Sequence, residues 1–144
     1  KLVGRDVTAA EVIAEVKKDI SYYRRSGGGM TLSGGEMLMQ PDFSLALLKL
    51  AKGFGINTAV ESTGCASFET IAKLLPYIDT YLLDIKHINS EKHKQFTTRD
   101  NSLILENAVK IAQNAKKCIV RVPTIPTFND SEEEISEIAR FAHD

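Results

Sequence analysis

Short apolar runs alternate with longer amphipathic segments along most of this chain. Two of these runs, Tyr81-Leu82-Leu83 and Ile119-Val120, contain no charged residue, as is typical of strands that are covered on both faces. Strands that alternate with helices indicate a parallel sheet, because each helix carries the chain back to the edge where the next strand begins. The pattern therefore predicts an α/β fold with a barrel-like or doubly wound parallel sheet.

Local start and stop signals divide the chain into strands and helices. The predicted strands cover residues 30–33, 56–61, 80–86 and 118–122. Capping boxes at Thr8 with Glu11 and at Ser131 with Glu134 predict two helix starts, and Pro41 stands at the first turn of another helix. Further helices are predicted after Ser67, Ser90 and Asn101. The connections are short, so we expect a single domain over residues 1–144.

The composition excludes several classes of protein. The chain has 144 residues, of which 43% are hydrophobic, and no apolar run reaches the length of about 18 residues that a membrane span needs. Its 18 basic and 19 acidic residues are mixed along the sequence, so no basic field is available for nucleic acid. We therefore expect a cytoplasmic protein with neither a membrane nor a nucleic-acid partner. Because the chain opens at Lys1 without an initiator Met, we also expect a longer parent protein.

Charged residues lie at or just beyond the C-terminal ends of the predicted strands, at one edge of the sheet. They are Glu36, Glu61, Asp84, Lys86 and Arg121. In parallel βα folds the C-terminal strand edge carries the active site, because the βα loops converge there. Acids that face a lysine and an arginine suit a small zwitterionic ligand, or a charged substrate that is positioned rather than attacked. A solvated network of ion pairs is the alternative explanation.

The loop Ser33-Gly34-Gly35-Glu36 directly follows a predicted strand. Its glycines leave the backbone accessible to a ligand, although a plain turn between strand and helix would look the same. With Leu32 the segment also resembles the signature loop of ABC transporter ATPases. That function requires a Gly-x4-Gly-Lys-Ser/Thr phosphate loop, whereas Gly27-Gly28-Gly29 is followed by Met30. The ATPase interpretation is therefore the least favoured alternative.

The cysteines and histidines show no metal-ligand spacing. Cys65 and Cys118 match no zinc, disulfide or redox motif and are interpreted as small buried residues. His87 and His93 are six positions apart and cannot share a helical face. These two and His143 are interpreted as surface residues. No metal-binding residue is predicted in this chain.

Several segments together resemble one known family. Residues 26–36, Ser-Gly-Gly-Gly-Met-Thr-Leu-Ser-Gly-Gly-Glu, are close to its SGGGVTLSGGEP stretch. Three further segments match its motifs: Val60-Glu61-Ser62-Thr63-Gly64, Asp84-Ile85-Lys86-His87 and Ser90-Glu91-Lys92-His93-Lys94. Ile104-Leu105-Glu106-Asn107 and Arg121-Val122-Pro123 extend the likeness. On these motifs the chain resembles the activating enzymes of pyruvate formate-lyase and related glycyl radical enzymes, which are radical S-adenosylmethionine (SAM) enzymes.

The resemblance implies a cofactor-binding role for the glycine loop and for Lys86. Ser33, Gly34, Gly35 and Glu36 match the element that holds the amino group of SAM. Backbone carbonyls and a carboxylate suit an ammonium group. Lys86 matches the residue that meets the methionine carboxylate. By the same resemblance, Lys86 is one of two catalytic candidates.

The other catalytic candidate is Arg121, which matches an arginine near the ligand and the incoming peptide. Glu61 and Asp84 match acids around the ligand or a nearby monovalent cation. The implied reaction is reductive: an electron from a 4Fe-4S cluster splits the sulfonium of SAM, and the 5′-deoxyadenosyl radical takes a hydrogen from a glycine of the partner. The implied partners are a glycyl radical enzyme and a flavodoxin- or ferredoxin-type electron donor.

The chain also departs from the family pattern. The Cys-x3-Cys-x2-Cys loop that binds the cluster has no counterpart here, so we expect it, with a first strand, before Lys1. Further strands are expected after Asp144, which implies a partial (β/α) TIM-like barrel of about four strands. Such a chain alone should be inactive and, with uncovered edges, should self-associate.

Smaller departures affect the loops. Met37 stands where Pro is usual, and Thr98 and Thr127 stand where the family often has Gly. Two other functions stay open besides the ATPase: another radical SAM enzyme of the same fold, and a cluster-free binding or interaction module. The sequence upstream of Lys1 would discriminate them, because a three-cysteine loop there indicates a radical enzyme.

Overall fold

The computed structural model describes residues 4–143, which form a four-stranded sheet and seven α-helices. The strands are β1 (Gly29–Leu32), β2 (Asn57–Ser62), β3 (Thr80–Asp84) and β4 (Cys118–Arg121). The helices are α1 (Ala9–Val16), α2 (Ile20–Ser26), α3 (Pro41–Gly53), α4 (Phe68–Leu74), α5 (Ser90–Thr97), α6 (Ser102–Asn114) and α7 (Glu132–His143). Short 3-10 turns cover Lys17–Asp19, Met37–Met39 and Leu75–Tyr77.

The strands form one parallel sheet in the order β1-β2-β3-β4. Each strand therefore pairs with the next strand along the chain, and helices make every crossover between them. In the register, Thr31 pairs with Ala59, and Asp84 pairs with Arg121. The predicted α/β fold with four parallel strands is confirmed, as a partial (β/α) barrel.

Alternate strand residues pack against the helices. Met30, Val60, Tyr81 and Leu83 are buried on this face. They share one hydrophobic core with helix residues that include Leu47, Leu48, Ile71 and Ile111. We call the opposite side, which bears Thr31, Ala59, Leu82 and Ile119, the open face. Its residues are half-buried or exposed, so the prediction of strands covered on both faces is wrong for residues 4–143.

Local capping determines where the first and last helices begin. Thr8 and Glu11 form the predicted capping box, in which the Thr8 N–H donates to Glu11 at 2.7 Å and the Glu11 N–H donates to Thr8 Oγ1 at 3.2 Å. Ser131 and Glu134 repeat this arrangement before α7. Pro41 is the first residue of α3, as predicted. None of the helices in residues 4–143 combines the length and the apolar character that crossing a bilayer requires.

Strand β3 ends at Asp84, two residues before its predicted end. The Ile85 N–H still donates to the carbonyl oxygen of Arg121 at 3.0 Å. The carbonyl oxygen of Lys86, the residue after Ile85, accepts a hydrogen bond from the side chain of Asn129 and not from a neighbouring strand. A side chain therefore replaces the sheet ladder here, and Lys86 lies in a loop.

His87 and His93 are buried, so the prediction that they are surface residues is wrong. Nδ1 of His87 accepts a hydrogen bond from the Asn89 N–H at 2.9 Å, and its Nε2 lies 3.2 Å from Oε1 of Glu134. Nδ1 of His93 lies 2.8 Å from the carbonyl oxygen of Arg99. Burial of both rings is tolerated because each has polar partners.

Candidate ligand-binding site at the strand ends

Glu61, Asp84 and Arg121 meet at the C-terminal ends of neighbouring strands. Nε of Arg121 donates to Oδ1 of Asp84 at 2.8 Å, and Nη1 donates to Oε1 of Glu61 at 2.6 Å. Glu61 pairs in register with Leu82, which lies two residues before Asp84, so the three charged side chains share the open face. The structure thus brings together three of the charges that the sequence placed at this edge.

Ser33 connects this group to the loop after β1. Its hydroxyl donates to Oε2 of Glu61 at 2.5 Å. This bond and the one from Arg121 hold the pKa of the Glu61 carboxyl below its ordinary value. Hydrogen bonds to Asp84 and Glu61 raise the pKa of the Arg121 guanidinium. We call Ser33, Glu61, Asp84 and Arg121 the strand-end cluster; its two carboxylates and one guanidinium leave it with a net negative charge.

Gly34 and Gly35 expose their backbone next to Ser33. Gly34 has a φ of 113°, a conformation that residues with a side chain rarely adopt. A Cβ atom placed on either glycine would meet no neighbouring atom within 4 Å. A ligand can therefore approach the backbone of this loop directly, as the sequence predicts.

Glu36 ties the glycine loop to the end of β2. Its carboxylate accepts hydrogen bonds from Ser62 Oγ at 2.7 Å, from the Thr63 N–H at 3.0 Å and from Thr63 Oγ1 at 2.8 Å. The Leu38 N–H adds another at 3.2 Å. Because a carboxylate offers about four acceptor positions, these bonds leave little capacity for a ligand. Much of the hydrogen-bonding capacity of this carboxylate thus serves the fold, whereas the backbone of Gly34 and Gly35 stays uncovered.

Lys86 is not part of the strand-end cluster. The sequence places it at the same edge as Asp84 and Glu61, but both of these acids bind Arg121. Lys86 lies in the loop after β3 because that strand ends early. It lines a pocket of about 190 Å³ whose other residues are Thr63, Cys65, His93, Thr97, Arg99 and Ile104. Within residues 4–143 its ammonium forms no ion pair, so its charge is available to an anion.

Buried asparagines fasten the loops around the site, a role that the sequence analysis missed. The side-chain amide of Asn107 donates to a backbone carbonyl after β2, and that of Asn101 donates to one after β3. The amide of Asn129 donates to one carbonyl after β3 and to another after β4. Asparagine is seldom fully buried without such partners. Asn107 shares a helical face with Ile104 and Ile111. Its position in that apolar stripe was the readable signal.

The cysteines do not form a metal site. Cys65 and Cys118 are free and half-buried, so the prediction of buried cysteines is only partly met. Burial raises the pKa of the Cys118 thiol, which keeps it protonated. Among residues 4–143 no group of three or more His, Cys, Asp or Glu side chains could hold a metal ion. These residues therefore do not provide the thiolates that an iron-sulfur cluster requires.

Comparison with known proteins identifies relatives over nearly the whole chain. The model of the Radical SAM superfamily matches residues 2–142. The choline trimethylamine-lyase activating enzyme of Oleidesulfovibrio alaskensis is 39% identical over 140 residues, which cover 97% of this chain and 45% of that protein. The isethionate sulfite-lyase activating enzyme of the same organism is 46% identical, with coverage of 95% and 45%. The chain thus spans less than half the length of these curated relatives.

A solved structure shows the same fold. It is a domain of the pyruvate-formate lyase-activating enzyme from Bacteroides vulgatus, which matches with a TM-score of 0.72 and 34% sequence identity. The match covers 79% of this chain and 71% of that domain. The arrangement of strands and helices described above is therefore shared with a protein of similar sequence.

Proposed function

The chain belongs to the radical SAM superfamily, and we propose that it is the SAM-binding part of an activating enzyme that generates a glycyl radical on a partner enzyme. The observation that carries the proposal is the strand-end cluster next to the glycine loop, at the edge where parallel βα folds bind their ligands. The activating enzymes among the relatives support it. Family membership also decides against the ATPase alternative.

The residues present fit SAM, which carries an ammonium, a sulfonium and a carboxylate. The net negative strand-end cluster attracts the two cationic groups. The exposed backbone of Gly34 and Gly35 provides hydrogen-bond acceptors for the ammonium. Lys86, which has no ion pair within residues 4–143, suits the carboxylate. We propose these assignments for the cofactor-binding residues.

Glu61 and Asp84 have a second proposed ligand, a monovalent cation. Their carboxylates lie on the same face of the sheet and are bridged by the guanidinium of Arg121. The guanidinium of Arg121 already lies between them, which supports a role of these two acids in binding positive charge. Arg121 itself is proposed to orient the backbone of the incoming peptide, because its planar fork of donors restricts the geometry of a partner.

The chemistry that SAM supplies in this family is a reductive cleavage of its sulfonium. The described residues do not fit a 4Fe-4S cluster, so the proposal assigns the cluster ligands to sequence outside residues 4–143. This chain binds SAM, orients it and excludes water around it. A flavodoxin- or ferredoxin-type donor is the proposed electron source, in an anaerobic cytoplasm.

The proposed protein substrate is a glycyl radical enzyme. The two relatives described above are named for choline trimethylamine-lyase and for isethionate sulfite-lyase, at similar identity to this chain. The proposal therefore commits to the class of partner and not to one member. The partner must present a single glycine Cα at the open face, close to Arg121.

The proposal is tested with the gene product that includes the sequence upstream of Lys1, reconstituted anaerobically with iron and sulfide. With SAM, a reductant and a glycyl radical enzyme, it should give a glycyl radical signal in electron paramagnetic resonance. Asp84→Asn should weaken SAM binding, whereas Glu69→Gln, which alters an exposed acid paired with Lys73 on α4, should not. Equal SAM affinity in both variants, or no radical with any partner of the class, would contradict the proposal.

The chain by itself provides a second test. Residues 1–144 treated in the same way should release no 5′-deoxyadenosine above the blank, because the described part provides no thiolate set for a cluster. Stoichiometric 5′-deoxyadenosine from this chain would show that the cluster ligands were wrongly assigned.

A further inference from the structure

Asn129 connects the loops that follow β3 and β4. Its side chain is fully buried, with an exposed fraction of 0%. The Nδ2 amide donates to the carbonyl oxygen of Lys86 at 2.7 Å and to that of Pro123 at 3.1 Å. Its Oδ1 accepts a hydrogen bond from the Ile125 N–H at 2.6 Å. Both donors of the amide are used, one on each loop.

The bonded positions matter because of what lies next to them. Lys86 is the residue proposed to meet the SAM carboxylate, and Pro123 is two residues after Arg121. The last sheet contact between the two segments is the bond from the Ile85 N–H to the carbonyl oxygen of Arg121. Beyond that bond neither segment belongs to the sheet, and the amide of Asn129 connects the two in place of the ladder.

We infer that Asn129 is a positioning residue that sets Lys86 relative to Arg121. The inference rests on the proposed function, since it assumes that Lys86 binds SAM and that Arg121 faces the partner peptide. His87 also contacts the Phe128 ring and Glu134 between these segments, but the amide of Asn129 is the group that bonds the Lys86 carbonyl itself. A displacement of about 1 Å at a reacting geometry is enough to cost on the order of a hundredfold in rate. Asn129 therefore influences SAM and the partner peptide together, although it touches neither.

Asn101, directly before α6, is a matched control that bonds the same loop after β3. It is 2% exposed, and its Nδ2 donates to the carbonyl oxygens of His87 at 2.6 Å and Ile88 at 2.9 Å. Like Asn129, it is buried and gives two hydrogen bonds to backbone carbonyls. Unlike Asn129, it reaches only the loop after β3. A purely structural role would make the two residues equivalent in a binding experiment.

The test compares Asn129→Asp with Asn101→Asp in the cluster-loaded activating enzyme. Each replacement keeps the side-chain shape and removes two donors. We expect both variants to melt at a lower temperature, but only Asn129→Asp to weaken SAM binding in calorimetry, by about tenfold or more, with a parallel loss of affinity for the partner's glycine-loop peptide. Equal losses of SAM affinity in the two variants, or none in Asn129→Asp, would overturn the inference.

A second pair of variants covers the case in which a buried carboxylate prevents folding. Asn129→Ser and Asn101→Ser are smaller and introduce no charge, and the same difference in SAM affinity is expected between them. The wild-type enzyme distinguishes a failure of the proposed function from a failure of the role of Asn129. If the wild type binds no SAM, the proposed function fails. If the wild type binds SAM and neither Asn129→Asp nor Asn129→Ser changes the affinity, only the role of Asn129 is refuted.

Discussion

Asp84 and Arg121 are directly opposite each other on β3 and β4, and their side chains share a hydrogen bond of 2.8 Å on the open face. The strand register thus brings the carboxylate of Asp84 and the guanidinium of Arg121 together at the end of the sheet. A second nitrogen of the Arg121 guanidinium, Nη1, binds Glu61 on β2. One guanidinium therefore links three strands, and the strand-end cluster is part of the fold as well as a candidate site.

Ser33→Ala should raise the pKa of the Glu61 carboxyl toward its ordinary value of 4.5. The Ser33 hydroxyl is the largest of the causes that lower this pKa, and the substitution removes it. A carbon-13 NMR titration of the carboxyl groups measures the change. Ser131→Ala is the matched control, because the side chains of Lys92 and then Ser131 lower the pKa of Glu134 to about 2. It should raise the pKa of Glu134 and leave that of Glu61 unchanged. A Glu61 pKa that Ser33→Ala leaves unchanged, or that Ser131→Ala shifts, would contradict the described cluster.

Thr98→Gly should stabilise the chain. Thr98 follows α5 with a φ of 67°, a left-handed conformation that is strained for a β-branched residue. Relief of this strain outweighs the extra backbone entropy of glycine, so the free energy of unfolding should rise by about 0.5 to 1 kcal/mol. Urea denaturation measures the difference.

The neighbouring residue provides the control for this substitution. Thr97→Gly should destabilise the chain, since Thr97 is helical and its hydroxyl donates to the carbonyl oxygen of His93 at 2.7 Å. Thr127, with a φ of 68°, should respond to glycine as Thr98 does. A loss of stability in both Thr98→Gly and Thr127→Gly would show that neither backbone is strained.

The features that the sequence predicted well are local ones. The capping boxes at Thr8 and Ser131 depend on residues three positions apart, and both occur in the structure. The two glycine-like conformations of Thr98 and Thr127 also lie where the family resemblance places Gly. Short apolar runs and local stop signals predicted the four strands, although the cover on both faces that the runs implied is wrong.

The failures involve partners that are distant in sequence. Beyond the end of β3, the side chain of Asn129, 43 residues after Lys86 in the chain, takes the place of the sheet hydrogen bonds. The sequence prediction therefore placed Lys86 on the strand, although it lies in a loop. His87 is buried because Glu134 reaches it across 47 residues. Neither contact leaves a periodic or local signal. The roles of the site residues themselves remain predictions that only binding experiments test.

Asp79→Asn should destabilise the chain at neutral pH and have little effect in acid. Asp79 lies at the N-terminal end of the sheet, where burial would raise the pKa of its carboxyl. Hydrogen bonds from Lys52 at 2.8 Å, from the Thr58 N–H at 3.0 Å and from Lys116 at 3.1 Å more than offset burial and hold this pKa well below its usual value. The ionised carboxyl is therefore the stabilising form.

The sign of the pH dependence follows from this lowered pKa. The stabilisation by Asp79 is fully present above the unfolded pKa, near 3.8, and is lost as the pH falls toward the folded value. The free energy of unfolding should differ between wild type and Asp79→Asn by about 2 kcal/mol at pH 7, and this difference should shrink below pH 4. Denaturation at several pH values measures it, and a difference that stays constant in acid would contradict the described network.

Lys86→Ala should weaken SAM binding in the cluster-loaded enzyme and leave folding nearly unchanged. Within residues 4–143 the Lys86 ammonium forms no ion pair, so its removal leaves no buried acid without a partner. Loss of a charge-assisted bond to the ligand carboxylate should cost about 1.5 to 3 kcal/mol, which is roughly ten-fold to over a hundred-fold in affinity. Lys52→Ala is the control, because Lys52 pairs with Asp79 at 2.8 Å at the opposite, N-terminal edge of the sheet. It should lower the melting temperature without changing SAM affinity. The reverse pattern, with stability lost in Lys86→Ala and SAM affinity unaltered in calorimetry, would make Lys86 structural and move the proposed carboxylate contact to Arg121.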